Sequence, residues 1–219
     1  MMKTKQKKPY TISRHKFFTN EERQNLMRVT EARSIVDQAK GRTTWQVRWM
    51  LVHLAMHSGL RVSEIAALQI RDVHLKNGNN YIYVRCGKRG KDRDVAIDAT
   101  LAKHLKEFIN NKELWDQPSD SDAFLFTGQG GGQFTTTALT VSFSLAVREA
   151  GLRPDARPGE RLSIHSARHS YAVLLYKRTN NNLRYAQRQL GHSDINMTAL
   201  YADIDPEDND RLANMILND

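Results

Sequence analysis

Between Ser163 and Tyr201 the chain carries His165, Arg168, His192 and Tyr201, spaced as H-x-x-R, then G-H, then a tyrosine nine positions later. Arg61 and Lys88 lie upstream. As a set, these six suit one reaction, in which a tyrosine breaks a phosphodiester while the other groups hold the phosphate. A phosphodiester is already anionic, and displacement at phosphorus puts more charge on its nonbridging oxygens. Guanidinium forks donate paired hydrogen bonds to such oxygens and keep their charge. A tyrosine nucleophile has a different difficulty. With a pKa near 10, only about one phenol in a thousand is ionised at neutral pH, a deficit of about 4 kcal/mol. An adjacent imidazole can accept the proton, and adjacent cations can lower the pKa.

Taken singly, each residue has an ordinary alternative. His165 and Arg168 lie about 60° apart on a helix, and they could be a capping histidine and a surface arginine. Arg61, in SGLRVSEI, could pair with Glu64, which would also let Glu64 orient it. Lys88 shares a turn with Arg89, Lys91 and Arg93, so it could be one solvated cation among several. His192 could close a helix C-terminus, and Tyr201 could be core packing. His165 and His169 have the i, i+4 spacing of some zinc sites. Against a metal, there is no H-E-x-x-H, the single cysteine Cys86 is remote, and Arg168 would put a cation beside the ion. GQGGGQ lacks the Lys-Ser/Thr of a phosphate-binding loop, so no ATP use is expected.

The elements that must position these groups follow from pattern. Thr19 with Glu21 and Glu22 reads as a helix start, the helix running to about Val36. Residues 44–57 are apolar on most sides, a core helix closed by Gly59. Ser63 is expected to cap a short helix carrying Ile65, Ala66 and Leu68. Residues 81–86 and 93–97 read as a hairpin about GKRGKD. An amphipathic helix over 99–110, a loop at Pro118–Asp122, a brief strand at Phe124–Phe126 and a flexible Gly128–Gly132 bend follow. A helix from Thr136 to Ala150 ends at Gly151, and RPDARPGER is an exposed loop. Helices are expected at 165–178, 183–190 and 194–202, with Gly191 and Ser193 as caps. Ala167, Tyr171, Leu174 and Leu175 should face the core. The fold class is mainly α with a small antiparallel sheet (α+β).

Composition sets the outer bounds. The 219 residues allow one large domain. A net charge of +9 points toward polyanions, nucleic acid first. One cysteine permits no intrachain disulfide. No apolar run approaches a membrane span, and the basic start has no apolar stretch behind it, so a cytoplasmic, nucleoid-associated location is expected. Residues 1–16, basic and free of acids, are expected to form an arm able to follow a phosphate backbone. Residues 17–205 would form the main domain. Residues 206–219 would be a tail, with Leu212, Ile216 and Leu217 as an apolar anchor or a self-docked end.

Together, SGLRVSEIAAL, CGKRGKDRDVAI, LSIHSARHSYA and LGHSDINMTALY resemble the tyrosine recombinases, the phage integrase and Xer group. The resemblance covers roughly residues 44–205, the catalytic domain of that family. It implies that Arg61, Lys88, His165, Arg168 and His192 surround a scissile phosphate that Tyr201 attacks. His165 would take the base-like role, His192 would hydrogen-bond the phosphate, and Lys88 would protonate the leaving 5′-oxygen. Arg89, Lys91 and Arg93 would add DNA contacts. Neither metal nor cofactor is implied. The implied partners are double-stranded DNA with a specific site and further copies of the chain, a tetramer on DNA coupled through the tail. Relatives in that group mostly carry a DNA-binding domain of about a hundred residues ahead of the catalytic one, and Arg61 arrives too early for it. This chain would then be either a short recombinase of the fimbrial-switch kind or a truncated one. Two other readings use the same residues: a DNA-binding regulator that no longer cuts, and a nicking-closing enzyme of topoisomerase type.

Overall fold

The computed structural model describes residues 14–76, 78–85, 92–157 and 159–191. Among these are seven α-helices and a three-stranded antiparallel sheet whose strands lie side by side in chain order, in agreement with the expected class. None of the helices is long and apolar enough to cross a membrane. The 1–13 part of the arm, the 194–202 helix with its Ser193 cap, and the tail lie outside the described residues.

Helix α1 (Asn20–Ala39) opens with a reciprocal cap. The Glu22 N–H donates to Thr19 Oγ1, and the Thr19 N–H donates to the Glu22 carboxylate. The helix continues to Ala39, beyond the expected end at Val36. Helix α2 (Thr44–Ser58) is the central element, with Met50 through Met56 buried without interruption. It ends at Gly59, whose φ of 61° suits glycine. A Cβ there would also fall 2.3 Å from the Tyr171 ring.

Helix α3 (Val62–Ala67) begins earlier than expected. Its N-cap is Arg61, not Ser63, because the Glu64 carboxylate reaches back to the Arg61 N–H. Strand β1 (Val73–Lys76) has no counterpart among the expected elements; it pairs Val73 with Ile82 and Lys76 with Asn79. β2 (Asn79–Val84) and β3 (Arg93–Ala96) form the expected hairpin, with Ile82 opposite Val95 and Val84 opposite Arg93.

Helix α4 (Ala99–Leu114) is capped by Asp98 and runs a turn longer than expected. The strand expected at Phe124–Phe126 does not form. Only isolated bridges appear, Gln69 to Phe124 and Thr127 to Gln133. Leu125 and Phe126 instead insert into the core. The Gly-rich stretch contains a one-turn 3-10 helix at Gln129–Gly131. Helix α5 (Thr136–Glu149) follows, capped by Thr135.

Helix α6 (Ile164–Arg178) is capped by Ser163, and helix α7 (Leu183–Leu190) by Asn182. On α6, Ala167 is buried as expected, but Leu174 and Leu175 are only partly covered. The buried face consists of Ile164, Ser166, Ala167, Arg168, Ser170 and Ala172. The reason is the segment ahead of α1. Phe17 packs on Ala172 and Leu190, and the Phe18 N–H donates to Ser170 Oγ at 2.8 Å. Arg153, expected in an exposed loop, fastens this segment. Its guanidinium donates to the His15 and Phe17 carbonyls and to the Glu22 carboxylate. Arg14–Lys16, expected to belong to the arm, therefore form a docked turn.

Candidate active site

Two of the expected site residues meet at the end of α7. Arg168 is carried on the polar buried face of α6, which lies against α2. Arg61 follows the left-handed turn at Gly59 and is fixed as the N-cap of α3. The Arg168 guanidinium donates to the Leu190 carbonyl at 2.7 Å and to the Gly59 carbonyl. Arg61 donates to the next carbonyl, Gly191, at 2.9 Å. Guanidiniums from sequence positions more than a hundred residues apart thus bond adjacent peptide groups. The site suits them, because the last carbonyls of a helix lack helical partners and carry partial negative charge.

Glu64 contacts Arg61 at two points. Arg61 donates through its guanidinium to Glu64 Oε1 at 2.7 Å and through its backbone N–H to Oε2 at 2.8 Å. Burial alone would raise the Glu64 pKa, but the hydrogen bonds and charges of Arg93 and Arg61 outweigh it and hold it at about 2. Glu64 is therefore an anion throughout the neutral range.

Arg93 requires a correction. Its place in the chain groups it with Arg89 and Lys91 as a DNA contact at a solvated turn, yet its side chain is only 11% exposed. Its guanidinium grips both Glu64 oxygens at 2.9 Å, and its Nε donates to the Gln189 carbonyl at 3.2 Å. The strand period holds the signal: Arg93 lies two residues before the buried Val95, so both share the inward face of β3. Gln189 escaped the sequence reading altogether. Its side chain is buried and accepts the Ala96 N–H at 3.1 Å, joining α7 to β3.

His165 stands exposed in the first turn of α6, one turn before Arg168. His169 has a different environment. Its ring meets Phe17 edge-on at 5.9 Å. Burial, then the charges of Arg168, His165 and Lys16, lower its pKa to about 4, so it is neutral near pH 7. Lys88, Arg89, Lys91, His192 and Tyr201 lie outside the described residues. His192 follows Gly191 directly, and Gly191 has the left-handed φ of 64° expected of a helix-closing glycine.

Arg61, Arg93 and Arg168 gather at this helix end, and Glu64 is the carboxylate that two of them share. Such an array of immobilised cations stabilises negative charge that develops during a reaction without reorganising to meet it.

Residues 16–208 match the model of the phage integrase family. The tyrosine recombinase XerC of Pseudomonas aeruginosa strain LESB58 is 34% identical over 155 residues, which is 71% of this chain and 46% of that protein. XerH of Helicobacter pylori is 31% identical over 159 residues, 72% of this chain and 41% of that protein. The chain thus spans about half the length of the curated relatives it matches. Among solved structures, XerH bound to its palindromic difH substrate, a post-cleavage complex, superposes with a TM-score of 0.71 at 27% identity, covering 90% of this chain and 52% of that one. With the family model spanning most of its length and the arginine pair assembled at the end of α7, the chain belongs to the phage integrase family, with the fold of a tyrosine recombinase catalytic domain.

Proposed function

We propose that this chain cuts and rejoins DNA strands at a specific site through a 3′-phosphotyrosyl intermediate. The observation that carries the reading is the convergence of Arg61 and Arg168 on the adjacent carbonyls of Leu190 and Gly191, immediately before His192. In this reading the two guanidiniums hold the nonbridging oxygens of the scissile phosphate. The Tyr201 hydroxyl attacks phosphorus as His165 accepts its proton. The bond to the 5′-oxygen breaks, and Lys88 supplies the proton that oxygen takes. His192 hydrogen-bonds the phosphate. The phosphotyrosyl ester retains the energy of the broken bond, so a 5′-hydroxyl from another strand can attack it and release Tyr201. A relative crystallised on DNA, XerH on difH, supports DNA as the substrate. The net charge of +9 agrees with a polyanionic partner. Assembly of a tetramer on paired sites, coupled through residues 206–219, completes the proposal, as does residence with the nucleoid.

The test works on a DNA site of unknown sequence. A library of duplexes with randomised centres and a nick beside the random segment is incubated with the chain, and detergent-resistant complexes are recovered. The expected result is enrichment of one sequence class by the wild-type chain and no covalent capture by Tyr201→Phe, which still binds the enriched duplex. Noncovalent binding alone by the wild-type chain would point to a regulator, and capture without enrichment to a nicking-closing enzyme.

A further inference from the structure

We propose that Arg93 is a positioning residue for the phosphate grip, acting on Arg61 through Glu64; this rests on the strand-cleavage reading above. The Glu64 carboxylate is held on two sides. Arg93 occupies both oxygens with a parallel two-point contact, 2.9 Å each. The same two oxygens accept the Arg61 guanidinium and backbone N–H at 2.7 and 2.8 Å. A carboxylate gripped by a planar fork cannot turn about its terminal bond without breaking both contacts. Its orientation therefore fixes the oxygen on which the Arg61 guanidinium rests, and Arg61 is held between that oxygen and the Gly191 carbonyl.

Arg93 also fits the end of α7. Its Nε bonds the Gln189 carbonyl, and its guanidinium lies 2.8 Å from where a Cβ on Gly191 would stand. A Cβ at 191 would have to displace this guanidinium, so the glycine leaves it room against the helix end. Arg93, Arg168 and Arg61 bond the successive carbonyls of Gln189, Leu190 and Gly191. Arg93 opens β3, five residues after Lys88 in the chain. One side chain therefore joins the hairpin, the Arg61 grip and the peptide that precedes His192. A shift of about 1 Å in such a group can cost on the order of 10²-fold in rate.

The experiment uses the duplex recovered by covalent capture with the wild-type chain. Arg93→Lys keeps a positive charge beside Glu64 but removes the fork. Arg93→Gln, neutral and planar, is the second variant should the first not fold. The expected result for R93K is a single-turnover cleavage rate lower by about 10²-fold, with DNA affinity within about threefold of wild type, since the Arg93 guanidinium is committed to Glu64 and the Gln189 carbonyl and is 11% exposed. Because Arg93 acts through Glu64, the R93K/E64Q double variant should cleave no more slowly than the slower single variant. Wild-type cleavage by either folded variant overturns the proposal, as do rate losses that multiply in the double variant, or affinity that falls in parallel with rate. If the wild-type chain itself forms no adduct, the strand-cleavage reading fails and takes this proposal with it.

Discussion

Two polar clusters are buried against α2, and they solve the same problem in opposite ways. Beyond its C-terminal end, Glu64 is ionised; its Oε1 accepts from the Arg61 and Arg93 guanidiniums, and its Oε2 from the Arg93 guanidinium and the Arg61 backbone N–H. Along the helix itself, the rings of Trp49, His53 and His57 meet edge-on one turn apart, with His104 of α4 edge-on to His53. His104 and His53 share one hydrogen bond at 3.0 Å, and His57 meets Asp98 at 2.9 Å. His53 Nε2 and Trp49 Nε1 are buried with no hydrogen-bond partner. Burial first, then the charges of His57, His104 and Arg23 against the opposing pull of Asp98, lower the His53 pKa to about 3. The first cluster buries charge and pairs it. The second buries the His53 imidazole in surroundings that favour its neutral form. A charged, fully paired group is tied to its partners, which suits a site that must hold geometry. A buried imidazole held neutral packs well but is vulnerable to acid.

Removing the charge from the first cluster should have the largest effect. Glu64→Gln leaves Arg61 and Arg93 without their counterion, and losing one partner of a buried pair costs about 3–5 kcal/mol. Urea denaturation at neutral pH measures this. A loss under about 1 kcal/mol would mean the cluster behaves as a surface pair and the contrast fails.

Acid should reach the second cluster first. His53 binds its proton near pH 6.5 when unfolded and near 3 when folded. Its contribution is therefore complete above pH 6.5 and lost as pH falls toward 3. Between pH 6.5 and 4.5 the loss is about 2–3 kcal/mol. Burial also lowers His57, though its Asp98 hydrogen bond opposes this, and His169 lies at about 4, so both add to the same window. Glu64 adds nothing there, because its contribution is present above its usual value of 4.5 and is lost only as pH falls toward 2. His53→Phe should remove its own share, about 2 kcal/mol, of the loss between pH 6.5 and 4.5 in urea midpoints, while His169 and His57 keep theirs. An unchanged slope in the variant would assign the acid loss elsewhere.

The smallest effect separates both clusters from ordinary helix chemistry. Thr19→Ala removes the α1 cap and should cost about 1 kcal/mol, read as a lower melting temperature with an unchanged cleavage rate. A change in rate would show that the segment before α1 couples to the arginine site through Phe17 and Phe18.

The contrast also explains what is legible in the sequence. Helix ends can be read because caps are local: Thr19, Gly59, Gly151 and Gly191 act within a turn of their own position. The hairpin can be read from two apolar runs about a Gly- and Lys-rich turn. Strand β1 cannot, since four residues that include a histidine and a lysine give too short an alternation. The buried face of α6 differs from its apolar pattern because its coverage comes from Phe17 and Phe18, some 150 residues away. Arg61 with Glu64 is legible at three residues' spacing. Arg93 is obscured by the cations around it in the chain, although its register with Val95 marks it as inward-facing. The His53 cluster does not stand out, because its histidines alternate with apolar residues in a helix that reads as core.

The most direct measurement is the identity of the covalent link. The captured complex is digested with nuclease and protease, and the modified peptide is sequenced by mass spectrometry. The account predicts a single peptide carrying a nucleotide on Tyr201, joined through the nucleotide's 3′-phosphate. A nucleotide on any other side chain, or one joined through a 5′-phosphate, contradicts it.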